Sequence, residues 1–235
     1  WLLELTDALA QICDGQVLME TARSVSEVWQ SQHRWGQGAE VRGGDAQPLR
    51  GVYACLAWVN FPASALEEEP ARQIARFNQW IHLASRMVNR FEGEVLATEG
   101  ERLIAYFAST ERANDRSACV RALDAARSLR AAAFDLAELY RQPPRLPDVR
   151  AVLDLGTTLY GVTGDESRVE FTVVGAVRQR LASLLEQCLA ADEPMAASEA
   201  AARYLGGVVR SLGPPPPRGC EAFAVGADPD ADTLL

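Results

Sequence analysis

A carboxylate in a predicted hairpin turn, Glu101, is the residue of this chain whose position most favours chemistry. Between Phe91 and Phe107, two apolar segments flank the polar turn Glu99-Gly100-Glu101-Arg102, and Gly100 supplies the backbone freedom that a tight turn needs. Such a turn holds a carboxylate at a fixed point above a sheet, where a chemical site can be built. The alternative is an ordinary solvated turn carboxylate, and the sequence leaves both interpretations open.

The composition excludes several kinds of site. The chain has 235 residues and no lysine, so all 23 of its basic residues are arginine. This removes Schiff-base lysines, lysine nucleophiles and the lysine of phosphate-binding loops. The net charge of -9 argues against a nucleic-acid-binding surface, so we expect no nucleic-acid partner.

The cysteines and histidines bear on location and on metal binding. Five cysteines, an odd number without a CxxC pair, favour a reducing compartment, and His33 and His82 are too far apart for a zinc site to be expected. No apolar run reaches the ~18 residues that a membrane-spanning helix needs. Because the chain begins at Trp1 and not at methionine, we expect a fragment or a processed product. The expected location is cytoplasmic, either free or as the cytoplasmic part of a membrane-anchored protein.

Residues 1–45 form a segment of their own, ending in a glycine-rich linker. Their apolar residues recur at the spacing of a helix seam: Leu18, Ala22, Val25 and Trp29. A connector or dimer helix and a helix folded back on the main domain are both compatible with this pattern. We place the main domain at residues 46–226 and expect residues 227–235 to be a disordered tail.

The main domain alternates between strand and helix patterns. The predicted elements are a strand at 51–61, a helix from 70 to about 92, the hairpin, a helix at about 113–140, a strand at 149–158, a loop or hairpin tip at 161–170, a strand at 171–175, a helix from 177 to about 189, an edge strand at Met195, a helix capped by Ser198 and ending near 205, and strands at 208–212 and 221–225. This order accommodates an α+β, ferredoxin-like split βαβ sandwich, with an antiparallel sheet on one side and helices on the other.

With these elements in order, the chain resembles the class III nucleotidyl cyclases, in the catalytic domain of adenylate and guanylate cyclases. The resemblance covers about Gly51 to Val225. It rests on the hairpin ending LIAYF, the strand from Val149 to Gly161, FTVVG leading into an Ala/Leu-rich helix, and the segments EPMAAS and RGCEAFAV. It implies the α+β, ferredoxin-like fold of that family, preceded here by an N-terminal helical segment.

The resemblance also implies a dimer and a two-metal reaction, in which two aspartates hold two magnesium ions. At the position of the first aspartate, in the strand ACLAWVN, this chain has Ala57, and Asn60 is the nearest polar residue. At the position of the second, after Gly100, it has Glu101. A single carboxylate cannot reproduce the two-carboxylate clamp, so Glu101 is a candidate metal ligand only.

The family's other site positions are altered as well. The lysine that selects the purine in adenylate cyclases corresponds to Ala97, and a later purine contact corresponds to Thr172, a weak candidate. The asparagine and arginine that stabilise the transition state correspond to Gln179 and Ser183, while a one-residue shift would give Arg180 and Leu184. The charge opposite the phosphate is lost under both alignments, unless Arg178 or Arg180 reaches round from another turn.

These substitutions lead to one principal functional hypothesis and two alternatives. The first is a catalytically defective cyclase homology domain that acts as a dimerisation or regulatory module, as a homodimer or with another cyclase-type domain, below an upstream sensor or membrane segment. It needs no cofactor. The alternatives are a divergent cyclase that uses Glu101 with Asn60 and magnesium or manganese, and a nucleotide-sensing domain without turnover.

Overall fold

The computed structural model describes residues 46–61, 69–109, 111–139, 148–165, 168–205, 209–214 and 219–226. The chain divides into two compact units, one formed by Ala46–Gly161 with Phe171–Leu235 and the other by Trp1–Asp45 with Val162–Glu170. The predicted helical connector at 1–45 and the predicted tail at 227–235 lie outside the described residues. No helix among the described residues is long and apolar enough to cross a membrane.

The described elements follow the predicted order closely. They are β1 (Ala46–Trp58), α1 (Pro70–Arg90), β2 (Glu94–Glu99), β3 (Arg102–Ala108), a short 3₁₀ turn (Arg112–Asn114), α2 (Asp115–Leu139), β4 (Val149–Asp165), β5 (Arg168–Val174), α3 (Ala176–Ala190), β6 (Met195–Ser198), α4 (Glu199–Ala202), β7 (Val209–Ser211) and β8 (Ala222–Val225).

One sheet organises these elements, in the order β2-β3-β1-β4-β6-β8-β7, with β5 paired to β4. Strand β1 is central and antiparallel to both β3 and β4. It reads as a nearly continuous apolar run because a central strand packs against neighbours on both of its faces. The α+β fold class predicted from the sequence is confirmed, since one sheet carries packed helices.

The sheet is covered by helices on both faces, and not on one face as the sequence suggested. Alternate residues of a strand point to opposite sides, and in β1 Val52, Ala54 and Leu56 belong to one apolar cluster while Tyr53, Cys55 and Ala57 belong to another. The first cluster includes core residues of α1 and α2. The second includes Val177, Leu181 and Leu184 of α3. The apolar face of α3 therefore fixes that helix against the side of the sheet that carries Ala57.

The hairpin forms as predicted. Gly100 has a φ of +57°, in the left-handed region that glycine adopts without strain, and the two strands pair from Glu99 opposite Arg102 to Glu94 opposite Tyr106. The register shifts between Val95 and Ala97, at a β-bulge. Helix α1 begins at Pro70, in the first-turn position that proline favours, and delivers the chain directly to the hairpin.

Two predictions about the second half need correction, and a third is decided between its two alternatives. Residues 161–165 and 168–170 belong to a hairpin tip, as one alternative predicted, because β4 continues to Asp165 and pairs with β5, which begins at Arg168. Strand β6 is not an edge strand. It lies between β4 and β8, parallel to β4, and all four of its residues are buried. Ser198 caps α4 as predicted, accepting a hydrogen bond from the Ala201 amide, but the helix ends at Ala202, before the predicted end near 205.

Candidate functional site

The end of β1 beside the hairpin turn is the candidate site, and apolar side chains close it. Ala57 pairs with Arg102 across the β1–β3 ladder, and the Trp58 amide donates to the Glu101 carbonyl over 3.1 Å. The Ala57 side chain is 2% exposed and belongs to the cluster that contains Leu96 and Ile104. The space next to Ala57 is thus occupied by neighbouring side chains of the same chain.

The next residue, Trp58, turns to the opposite face and anchors the end of β1 in an aromatic group. Its ring centroid lies 4.8 Å from that of Phe61 and 5.7 Å from that of Trp80, both edge-on. The guanidinium of Arg76 lies over the Trp58 ring at 5.7 Å. These contacts fix the backbone at the place where the resemblance implies a metal-binding aspartate.

Asn60, the nearest polar residue, has its side-chain oxygen engaged. The Asn60 Oδ1 atom accepts hydrogen bonds from the Trp58 indole over 2.7 Å and from the Asp148 amide over 2.9 Å. This oxygen therefore holds the end of β1 against the start of β4.

Glu101 is half-buried, and no group of three histidine, cysteine or acidic side chains within metal-binding reach occurs among the described residues.

Two arginines of α3 form ion pairs with carboxylates on the sheet. Arg178 pairs with Glu99, at the end of β2 beside the hairpin turn. The Nε atom of Arg180 lies 2.7 Å from Oδ2 of Asp154, in β4. Each of these two guanidinium charges is therefore paired with one carboxylate of the same chain.

The Arg180–Asp154 pair combines a buried carboxylate with space for the guanidinium beside a glycine. Asp154 has a side chain that is only 2% exposed, and Arg180 is 31% exposed. A Cβ atom added at Gly156 would lie 2.8 Å from Nη2 of Arg180, so the absence of a side chain at Gly156 makes room for the guanidinium. Burial raises the pKa of Asp154 above its ordinary value of 3.8, and the charge of Arg180 and hydrogen bonds from Arg180 and Ser198 oppose that rise.

The two transition-state positions lie on α3 without a common target. Gln179 is exposed. Ser183 is half-buried, and its carbonyl and hydroxyl oxygens accept from the Gln187 amide over 3.2 and 3.3 Å. The same amide nitrogen donates to the Cys220 carbonyl over 2.9 Å, so Gln187 links α3 to the segment before β8. The hydrogen bonds of Ser183 therefore stay within α3.

The two purine positions are distributed differently. Ala97 follows the bulge of β2 and packs, partly buried, against the apolar cluster under α3. Thr172 lies in β5, but its side chain is outside the part of the chain whose side chains the structure describes.

Cys55, two residues before Ala57, is 3% exposed, and burial raises the pKa of its thiol to about 12. It behaves as a small apolar residue.

Sequence reasoning missed the two carboxylates that engage α3. Asp154 interrupts an otherwise apolar strand, AVLDL, and a charge in such a strand signals a buried partner. Glu99 was treated only as part of a polar turn. Its pairing with Arg178 joins residues 79 positions apart, and the sequence pattern contains no signal for a contact of that kind.

Comparison with known proteins points to one fold. No protein-family model matches the chain, and no curated protein matches it in sequence. Among solved structures, a bacterial light-regulated adenylyl cyclase is 15% identical with a TM-score of 0.66, covering 92% of this chain and 64% of its own. The chain thus spans less than two thirds of that protein.

Two further structures cover different shares of the chain. The adenylyl cyclase CyaB from P. aeruginosa is 17% identical with a TM-score of 0.65, covering 78% of this chain and 97% of its own. A class III adenylyl cyclase-like ATP-binding protein from Pseudomonas aeruginosa is 15% identical with a TM-score of 0.51, covering 73% of this chain and 38% of its own. This chain therefore has the fold of the class III nucleotidyl cyclase catalytic domain.

Proposed function

We propose that this chain carries a cyclase homology domain without cyclase activity, which acts as a dimerisation and regulatory module in signal transduction. The observation that carries the proposal is the closed end of β1, where Ala57 is buried among apolar side chains beside the hairpin turn. A domain that keeps the fold but carries a buried alanine where the resemblance implies a metal ligand would contribute through its surfaces.

The residues present do not fit the two magnesium ions that the fold family implies. Ala57 has no oxygen to donate, and the Asn60 oxygen already accepts two hydrogen bonds. Glu101 is left as one carboxylate, whereas a two-metal clamp needs oxygen ligands that approach both ions.

The positive charge that a triphosphate would need is committed elsewhere. Arg178 and Arg180 face Glu99 and Asp154. Displacing Asp154 would leave a buried charge unpaired, whereas Arg178 and Glu99 form an exposed pair. Electrostatic stabilisation of a developing charge requires donors that are already aimed at it. At the position where the resemblance implies an arginine, Ser183 is hydrogen-bonded to Gln187. We infer that α3 stabilises the sheet by packing against it.

The module that we propose works with a second cyclase-type domain. The fold family acts as a dimer, so the partner is a second copy of this chain or another cyclase-type domain. We place the protein in the cytoplasm or on the cytoplasmic side of a membrane, linked by its N-terminal segment to an upstream sensor. No metal cofactor is required for this role.

A product assay combined with sedimentation tests the proposal. Purified protein is incubated with ATP or GTP and with magnesium or manganese, next to an active class III cyclase as positive control. We expect no cyclic nucleotide and a dimer in analytical ultracentrifugation. Steady turnover would overturn the absence of catalysis, and a monomer at all accessible concentrations would overturn the role as a self-dimerising module.

A nucleotide sensor without turnover is the second candidate function. It is supported by the similarity to the class III adenylyl cyclase-like ATP-binding protein. Isothermal titration with ATP and GTP separates the two candidates, because a saturable heat favours sensing and flat heats at millimolar nucleotide favour a scaffold. The divergent-cyclase alternative needs Glu101, so unchanged turnover in Glu101→Ala would exclude Glu101 as its metal ligand.

A further inference from the structure

Helix α1 carries four arginines and no acidic residue, although the net charge of the chain is -9. Arg72, Arg86 and Arg90 are exposed, and none of these three forms an ion pair with another described residue. By contrast, seven arginines outside this helix each pair with a carboxylate: Arg50, Arg121, Arg150, Arg178, Arg180, Arg203 and Arg210. The three exposed guanidinium groups of α1 are therefore available to an anionic partner.

The four arginines lie along one side of the helix and form what we call the arginine stripe. At 3.6 residues per turn, positions 72, 76, 86 and 90 fall within about 80° of the helix circumference and span about 27 Å along its axis. Arg76 lies over the Trp58 and Phe61 rings at 5.7 and 5.8 Å, which keeps its guanidinium beside the helix. The stripe lies about 120° around the helix from the buried residues, which are Trp80, Ala84 and Val88. Packing of α1 in the core therefore leaves the stripe accessible.

Acidic residues lie at both ends of α1 and offset the stripe only in part. Glu69, three residues before Arg72, is exposed and offsets some of that charge. Glu92, just after the helix, pairs with Arg121 of α2. Arg86 is about 25 Å along the helix axis from Glu69, well beyond the screening length of about 8 Å at physiological ionic strength. The C-terminal half of the stripe therefore keeps its positive charge.

The other exposed positions of α1 indicate the kind of partner. Apart from Ile74, which lies about 160° around the helix from the stripe, they are small or polar: Ala71, Ala75, Asn78, Gln79, His82 and Asn89. A stable protein interface depends on apolar and aromatic anchors at its centre, and the stripe has none beside it. An anionic lipid surface requires only cations that can reach its headgroups. Charge complementarity therefore favours a membrane over a protein partner.

We propose that the arginine stripe of α1 binds the surface of a bilayer that contains anionic lipids. The binding is peripheral, because the apolar face of α1 stays packed in the core. It is salt-sensitive, because it depends on exposed charges. It also orients the domain, since the acidic remainder of the chain is repelled by the same membrane and only the side that carries α1 can approach. The proposal goes beyond the proposed function and holds whether or not the candidate site turns over nucleotide.

Co-sedimentation of the full chain with lipid vesicles tests the proposal. At low salt we expect binding to vesicles of phosphatidylcholine mixed with phosphatidylserine, no binding to phosphatidylcholine alone, and release at high salt. R86Q/R90Q should weaken binding about 5-fold for each arginine removed, or about 30-fold together. The matched control is R203Q/R210Q, which changes the net charge equally and should bind nearly as the wild-type protein does. Its Arg210 lies in β7, at the opposite edge of the sheet from β2.

A charge-preserving variant separates charge from a disturbance of the helix. R86K/R90K should bind as the wild-type protein does, and far-ultraviolet circular dichroism checks that every variant keeps its helix content. The proposal is overturned if the wild-type protein fails to bind the phosphatidylserine vesicles at low salt, or if R86Q/R90Q binds them equally well. Equal binding to phosphatidylcholine alone would also overturn it. Binding to soluble polyglutamate without binding to vesicles would assign the stripe to an acidic protein partner and would overturn the membrane proposal.

Discussion

Replacing Arg180 by glutamine should destabilise the protein through the carboxylate that it leaves behind. Asp154 is 2% exposed, and its ion pair with Arg180 is the charged contact between α3 and β4. Removing one partner of a buried pair costs about 3–5 kcal/mol. Because Arg180 is 31% exposed and water screens it in part, we expect a loss of about 2–3 kcal/mol in the free energy of unfolding at pH 8.

The size of this loss should depend on pH in a defined direction. Burial raises the pKa of Asp154 in the folded state above 3.8, so the folded protein binds this proton more tightly than the unfolded chain. Stability associated with Asp154 is therefore greatest at low pH and falls as the pH rises through the folded pKa. Without Arg180 the folded pKa rises further, so the variant should approach wild-type stability as the pH is lowered.

Urea unfolding at pH 5 and pH 8 measures both quantities. Arg178→Gln is the matched control on the same helix, because Arg178 and Glu99 are 48% and 36% exposed and such a pair is worth about 0–1 kcal/mol. The double variant D154N/R180Q should regain part of the lost stability, since no buried charge remains. Equal losses for Arg180→Gln at the two pH values would refute the account, as would a loss no larger than that of Arg178→Gln.

Three further perturbations test other parts of the structure. Because Arg50 holds the pKa of Asp115 below 3.8, Asp115→Asn should cost about 2–3 kcal/mol at neutral pH, with the difference shrinking in acid, as measured by urea unfolding. Gly156→Ala places a Cβ 2.8 Å from Nη2 of Arg180, the end of a flexible side chain that can move aside, so it should cost less than Arg180→Gln in the same assay; a loss as large as that of Arg180→Gln would contradict the packing described. Burial raises the pKa of the Cys55 thiol to about 12, so iodoacetamide at pH 8 should leave it unmodified in folded protein and modify it after unfolding, as read by peptide mass spectrometry.

The order of elements was predictable because each has a local cause. Pro70 fixes the start of α1, Gly100 permits the hairpin turn, and the apolar run of β1 reports a strand that is buried on both faces. Periodicity and turn chemistry act over a few residues, so the sequence displays them directly.

The placement of α3 and β6 was not predictable in the same way. The apolar residues of β6 are equally compatible with an edge or an interior position, and only the parallel pairing of Ala151 with Met195 decides between them. The face on which α3 packs depends on the whole sheet. The amphipathic pattern of the helix shows that one side is buried, but not against which layer.

The substitutions at the candidate site were visible in the sequence, but their partners were not. That Ala57 offers no oxygen follows from its identity, whereas the two hydrogen bonds that engage Asn60 come from residues 2 and 88 positions away. Ion pairs such as Arg180 with Asp154 also join distant segments. The sequence alone therefore shows which side chains are present, but only the fold shows which partners they bind.

A single-turnover experiment tests the absence of catalysis most directly. Protein in molar excess is mixed with labelled ATP or GTP and manganese, and the label is followed until hydrolysis of the triphosphate in a protein-free control becomes measurable. We expect that no label appears as cyclic nucleotide, because the end of β1 offers no second metal-binding carboxylate beside Glu101. Conversion to cyclic nucleotide that is lost in Glu101→Ala would contradict it.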